Sequence, residues 1–274
     1  MNSCPICDGP TREHASATIR GQYPALFLRC RNCDFIFIPN PTWLSEAYAD
    51  PINQSDTGYV WRNLWARDRV SELVESFLNP DGVFLDYAAG YGLFVRLMRD
   101  MGYDFRWSDL YCQNLFARGF EAPAPLSGTF EAITAFEVFE HLTHPRVEIQ
   151  KLSTHTSCLI FSTMLVPDSI PQTGDWWYYG LEHGQHVSFY TRKSLEILAN
   201  EFNYRLSSDG SSLHVFSRKA FDLKALSDSN SLWQRLWGRK KKKISRGSLT
   251  VRDHDFIVEK LTEEKDKDVK RDES

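Results

Sequence analysis

The run from Val83 to Met101 limits what this chain can fold into more than any other stretch. Val83-Phe84-Leu85-Asp86-Tyr87 is a short apolar run, the mark of a strand covered on both faces. Ala88-Ala89-Gly90-Tyr91-Gly92 follows as a turn of small residues, and Leu93 to Met101 continues with helical spacing. A strand that runs through a tight turn into a helix must reach its next neighbour by a crossover, which makes that neighbour parallel. The pattern then repeats. Phe105 to Ser108 reads as a strand and Leu115 to Arg118 as a short helix. Phe130 to Phe136 and Cys158 to Met164 read as further strands, separated by a helical stretch from Pro145 to Lys151. Arg192 to Phe202 reads as a helix, and Tyr204 to Ser208 with Leu213 to Ser217 as a closing hairpin around Asp209-Gly210. The expected class is α/β, a doubly wound, mostly parallel sheet.

Four of the six cysteines fall in the first 33 residues as two pairs, Cys4-Pro5-Ile6-Cys7 and Cys30-Arg31-Asn32-Cys33. Two thiolates on each of two tight turns are the ligand set of a tetrahedral zinc knuckle, and four sulfurs leave no open position, so the role is structural. Two disulfides or a redox pair are the alternatives. The neighbouring Phe27, Leu28, Phe35, Ile36, Phe37 and Ile38 favour packing this module on the main body over gripping nucleic acid. Pro39-Asn40-Pro41 closes it. The expected organisation is therefore a zinc-binding module at 1–41, a helical lead-in at 42–79, the main α/β domain at 80–219, and a basic amphipathic segment with a disordered tail at 220–274.

The chain of 274 residues, 42% hydrophobic, is long enough for one α/β core and a small appended module. A net charge of -4 gives no basic field for a nucleic-acid backbone. No apolar run is long enough to span a membrane, and the N-terminus has neither a charged nor an apolar leader pattern, so a soluble cytoplasmic protein is expected. The run Arg239-Lys240-Lys241-Lys242-Lys243, beside Trp233 and Trp237, reads as a solvated face.

The small residues of 86–92 let backbone amides approach a ligand between a strand and a helix N-terminus. Asp109, 23 residues after Asp86, lies near the spacing at which a second-strand carboxylate meets a ribose. This stretch resembles motif I of the class I S-adenosylmethionine-dependent methyltransferases. Asp86, Gly90 and Gly92 match its acid and glycines, while Ala88 stands where the first glycine is expected. The resemblance implies a Rossmann-like fold, Asp109 as the ribose-binding acid, and Ala135-Phe136-Glu137-Val138-Phe139-Glu140-His141-Leu142 as a segment lining the cofactor, with Phe136 and Glu137 in contact. His186-Val187-Ser188-Phe189-Tyr190-Thr191 is similar to a late segment of the same family, and together with the cysteine module it resembles the bacterial methyltransferases that act on nucleotide-linked sugars. A nicotinamide dehydrogenase fits poorly, because the third glycine of its fingerprint is missing.

Residues 165–190 form a long loop dense in Trp176, Trp177, Tyr178, Tyr179, His183 and His186. Such a loop at the carboxyl end of a parallel strand is a place for an acceptor. His186, by resemblance, and His183, by position, are the candidate catalytic residues, whereas a structural hydrogen bond is expected of His141 beside Glu137 and Glu140. The implied activity is methyl transfer from S-adenosylmethionine to a small molecule such as a sugar. The alternative is a non-catalytic zinc-containing binding module whose altered glycine turn has lost its cofactor.

Overall fold

Strand β4 (Val83–Tyr87) anchors the main sheet because its apolar side chains have cover on both faces: Phe84 and Leu85 are fully buried. In the computed structural model, which describes residues 3–49, 56–221, 223 and 246–272, ten strands form two sheets among the described residues. β1 (Thr11–Ile19), β2 (Tyr23–Cys30) and β3 (Ile36–Phe37) precede the short α1 (Leu44–Ala47) and the long α2 (Tyr59–Phe77). After β4 come α3 (Leu93–Asp100), β5 (Asp104–Ser108), β6 (Ile133–Ala135), α4 (Pro145–Ser153) and β7 (Cys158–Ser162). β8 (Ser188–Phe189), α5 (Arg192–Glu201), β9 (Arg205–Ser208), β10 (Leu213–Ser217) and a last helix α6 (Thr250–Asp272) complete the chain.

The main sheet has the order β5-β4-β6-β7-β10-β9. β4 pairs parallel with β5 and β6, and β6 pairs parallel with β7. β10 runs antiparallel to both β7 and β9, so the hairpin closes the sheet as the sequence reading expects. α2 covers one face through Val70, Leu73 and Val74, all fully buried. The lead-in is two helices in place of one, and α2 stops where Pro80 follows.

One expected element is absent. Leu115 to Arg118 is not helical. Residues 109–120, which separate β5 from the parallel bridge Trp107–Glu121, are only just enough for a crossover and leave little room for a helix. Leu115 and Phe116 are half exposed, so there is no apolar face to bury. The segment is instead tied down by Leu115 N and Phe116 N donating to the Tyr91 carbonyl, both at 3.0 Å.

The C-terminal end also differs from expectation. The tail from Glu259 reads as disordered in sequence, yet it lies within α6. Its anchor is electrostatic: Arg99, 1% exposed, donates to both oxygens of Asp253 at 2.8 and 2.7 Å and stacks 3.7 Å above the Phe120 ring. A buried guanidinium needs such a partner, and the pairing fixes the start of a helix whose Phe256 also meets Phe120 at 5.9 Å. The basic run 239–243, with Trp233 and Trp237, lies outside the described residues.

The second sheet has the order β1-β2-β3-β8. β8 comes from the 165–190 side of the chain, so the cysteine module and the main domain share a sheet across the boundary at 41. Ile36 pairs with Phe189 and Phe37 with Ser188, Ile38 N donates to the Val187 carbonyl at 3.0 Å, and Thr191 Oγ1 donates to the Cys33 carbonyl at 2.7 Å. Phe35 and Phe37 stack at 5.6 Å and join the same core as Leu85, Ile133, Phe139 and Tyr190.

Candidate active site

A cleft of about 1420 Å³ opens at the carboxyl ends of β4, β5, β6 and β7. That position follows from the topology, since loops leaving the ends of parallel strands diverge there. Every sequence-derived cofactor or catalytic candidate lines it except Gly92: Asp86, Ala88, Gly90, Asp109, Phe136, Glu137, His183 and His186 all reach the wall. Gly92 caps α3 with φ +83°, and a Cβ there would come within 2.7 Å of Asn114 Oδ1, so its role is to let the 114–117 segment pass.

The turn after β4 is held from two sides. Gly90 N donates to Asp109 Oδ2 at 2.9 Å, and Trp107 Nε1 donates to the Gly90 carbonyl at 2.9 Å. Asp109 Oδ1 in turn accepts from Tyr111 N and Cys112 N, both at 2.7 Å. The carboxylate at the end of β5 is therefore set in place before any ligand arrives. Ala88 has φ +56°, so the chain keeps the left-handed conformation that glycine adopts freely, at the cost of strain from the added methyl.

Asp86 is buried and accepts from Thr134 Oγ1 at 2.6 Å. Burial pushes its carboxyl up to about 7, against the Thr134 hydrogen bond and with the Asp109 charge adding to the rise. An acid raised in the fold favours the folded state while protonated, so this group loses stability as pH rises from about 4 towards about 7. Phe136 meets Phe94 edge-on at 5.2 Å and forms an apolar wall beside the turn. Glu137 has φ +54°, and Ser162 Oγ donates to its Oε1 at 2.6 Å while Glu137 N donates to the same hydroxyl oxygen at 2.8 Å.

The other end of the cleft is built from histidines. His186 is 9% exposed, with Nδ1 2.6 Å from the Tyr178 carbonyl. A carbonyl only accepts, so Nδ1 carries the proton and Nε2 the lone pair. His183 has the opposite polarity: Nδ1 accepts from Gln185 N at 3.1 Å, which puts the proton of the neutral ring on Nε2 and makes it a donor. Burial holds His186 well below its ordinary value, with His141 and His183 adding to the effect, and lowers His183 as well.

His141 makes no bond to either neighbouring carboxylate. Its Nδ1 lies 3.0 Å from the Tyr48 hydroxyl, and burial holds the ring down to about 3. Glu140 beside it is fully buried, and burial together with the Glu137 charge pushes it up to about 8. Tyr48 on the C-terminal flank of α1 and Arg62 on α2 escape the sequence reading, because both lie on a helical segment that looks like packing alone. Arg62 lies 2.7 Å from Asp56 and faces Glu137 at 3.8 Å.

The aromatic loop divides its labour. Trp176 and Tyr179 pack away from the cleft with Phe27, Trp43 and Phe189, whereas Trp177, 75% exposed, and Tyr178 reach the wall. Trp43 Nε1 donates to the Gly184 carbonyl at 2.7 Å and Arg20 N to the Leu181 carbonyl at 2.8 Å, so the N-terminal module holds the loop that carries both candidate histidines.

Cys4, Cys7, Cys30 and Cys33 come together with Sγ separations of 3.7, 3.4 and 3.6 Å. These exceed a disulfide bond by far, whereas sulfurs about 2.3 Å from one tetrahedral ion lie about 3.8 Å apart. Backbone N–H groups of Ile6, Asn32 and Cys33 point at the sulfurs, the arrangement that supports thiolate ligands.

A family model described as a methyltransferase domain matches residues 61–208. No curated protein matches the chain. Among solved structures, it is similar to the magnesium protoporphyrin IX methyltransferase of Synechocystis with bound SAH, at 12% identity and a TM-score of 0.42, covering 65% of this chain and 96% of that one. It is also similar to an O-methyltransferase family protein of Burkholderia thailandensis, at 13% identity and a TM-score of 0.44 over 67% and 64% of the two chains. The CurJ carbon methyltransferase gives 13% identity and a TM-score of 0.43 over 66% and 61%.

Proposed function

We propose, on the premise that this chain belongs to the methyltransferase domain family whose model it matches, that it uses S-adenosylmethionine to methylate a small molecule, and that the acceptor is a nucleotide-linked sugar. The observation that carries the reading is one continuous cleft joining the glycine turn and Asp109 to the histidine loop. Its volume of about 1420 Å³ exceeds the roughly 300 to 1,000 Å³ of a single-ligand pocket and leaves room for two partners.

S-adenosylmethionine supplies an electrophilic methyl group on a sulfonium. The chain's part is to hold the two partners in line, which accounts for much of the rate in a displacement of this kind. Asp109 presents its carboxylate to the ribose hydroxyls, the Ala88–Gly90 backbone follows the methionine portion, and Phe136 offers an apolar face. At the acceptor end the exposed Trp177 ring is a stacking face for a sugar, Lys151 is a cation on the wall for phosphate, His183 is a hydrogen-bond donor, and His186 offers a lone pair where an acceptor hydroxyl loses its proton. The non-catalytic alternative gains no support from Ala88, since the turn keeps its glycine-like conformation. Zinc on Cys4, Cys7, Cys30 and Cys33 completes the proposal as a structural ion.

Asp109→Ala should weaken S-adenosylhomocysteine binding about ten-fold to a hundred-fold in calorimetry, the effect of losing charge-assisted hydrogen bonds of about 1.5 to 3 kcal/mol. A folded variant that binds as tightly as the parent sinks the cofactor reading.

Asp86 adds a pH signature. A bound cationic ligand favours its ionised form, so S-adenosylmethionine uptake should release a proton below about 7, and affinity should rise up to about ten-fold per pH unit towards that value. Calorimetry in buffers of different ionisation enthalpy measures this release. Binding heats independent of buffer at pH 6 count against it.

A further inference from the structure

We propose that Glu140, His141 and His186 form a divalent-metal site at the acceptor end of the cleft, separate from the cysteine cluster and taking a first-row transition ion. The inference rests on the acceptor-end reading above but changes the part of His186: an ion on Nε2 would occupy the lone pair assigned there to the acceptor's proton, and the ion itself would make an acceptor hydroxyl easier to deprotonate. One ligand atom from each residue lies within 4.8 Å of the other two. Two donors about 2.1 Å from one ion are at most about 4.2 Å apart, so small side-chain adjustments close the set on a single ion.

The independent observation is Glu140. It is 0% exposed, neither carboxyl oxygen makes a well-formed hydrogen bond, and the Tyr178 and Thr163 hydroxyls give it only weak support. The neighbouring Tyr178 and Thr163 hydroxyls face each other at 3.3 Å, and Tyr178 also accepts from Met164 N at 3.1 Å. A buried carboxyl with only weak support is costly, and a cation is the group that removes the cost. The imidazoles are prepared for the same purpose. The Tyr178 carbonyl takes the Nδ1 proton of His186 and leaves Nε2 for a ligand, the support that metal-bound histidines receive. His141 is held by Tyr48 at Nδ1 and by the Gln185 backbone, so an ion would take the place of one of these bonds, and the His141 and His186 rings stand at 84° with centroids 5.1 Å apart.

The scaffold is rigid. Glu140 and His141 sit on one 3-10 turn, Phe139–His141, and Val187 N donates to the Glu140 carbonyl at 2.8 Å, which locks that turn to the His186 segment. His141 and His186 line the cleft, so an ion held there keeps coordination positions for an oxygen of the acceptor or for water. One carboxylate with two imidazoles favours a first-row transition ion over magnesium or calcium, which take oxygen ligands.

Manganese chloride is the probe, because Mn²⁺ prefers oxygen and nitrogen donors and leaves the four thiols to zinc. The full chain, purified without chelator, is titrated and free Mn²⁺ followed by its six-line electron paramagnetic resonance signal, with S-adenosylhomocysteine calorimetry and a thermal melt on the same samples. One Mn²⁺ per chain is expected, weakened about 100-fold or more in both Glu140→Gln and His141→Asn, with S-adenosylhomocysteine affinity within a few-fold of the parent. No binding at millimolar Mn²⁺, or equal binding by folded variants, overturns the site. Mn²⁺ binding that depends on Glu140 in a chain that fails to bind S-adenosylhomocysteine sustains the metal site and sinks the cofactor reading instead.

Discussion

His186→Ala should lower methyl-transfer turnover by about 10²-fold or more while S-adenosylhomocysteine affinity stays within a few-fold, because the lost lone pair acts at the acceptor and the cofactor is held elsewhere. Position gives the expectation its force: Asp109 and the glycine turn occupy one end of the cleft, and His186 the other. The tautomer sharpens it. With Nδ1 committed to the Tyr178 carbonyl, only Nε2 can meet a proton or an ion, so His186→Gln, which restores a polar group without a basic nitrogen, should be nearly as impaired. Single-turnover rates and product analysis check both variants. Wild-type turnover in a stable His186→Ala variant would remove the residue from the chemistry and leave positioning alone.

Loss of metal from the cysteine cluster should have the largest effect on stability, since a structural zinc site contributes about 10 kcal/mol or more in small modules at neutral pH. Elemental analysis should find one zinc per chain in the cluster, and Cys30→Ser should lose it. The sequence alone leads one to expect damage confined to the first 41 residues with the main sheet intact. The shared sheet changes that expectation for the cleft. Cys33 receives the Thr191 hydroxyl, β3 pairs with β8, and Trp43 and Arg20 hold the 181–184 backbone. Zinc-depleted protein should therefore keep the helical signal of the parallel domain in circular dichroism, melt with an added low-temperature transition, and lose turnover. Full activity with an unchanged melt after depletion would show that the cluster carries no ion of consequence.

β4 and β7 were legible because β7 buries all five of its residues and β4 its central three, and a run covered on both faces needs no partner to be read, whereas β5 buries only Phe105 and was read from its place after the turn and helix. Leu115 to Arg118 misled for the opposite reason: its leucine and phenylalanine have helical neighbours in sequence but half-exposed positions in space, and apolar character alone does not say where a side chain goes. α6 was hidden by composition, since its charged residues suggest disorder and its docking depends on Arg99, more than 150 residues earlier. In the cleft, Asp86, Gly90 and Asp109 were found through spacing around a strand and a turn. Glu140 stood in view as a carboxylate one residue before His141, but its burial and its weak support belong to the fold. Tyr48 and Arg62 had no local signal at all, because what makes them part of the site is the placement of α1 and α2 over the strand ends.

The pairing of β3 with β8 has a consequence in time. Phe37 leaves the ribosome about 150 residues before Ser188, which at about 5 to 20 residues per second is on the order of ten to thirty seconds. Throughout that interval β3 has β2 on one side and an unsatisfied backbone edge on the other, the kind of edge that invites pairing with another chain. β3 is only two residues long, which limits what a stranger can grip, and its native partner arrives only after most of the parallel sheet has been synthesised. The joining of the two sheets is thus a long-range closure, and the histidine loop takes its final place in that same step, with β10 and α6 still to be added.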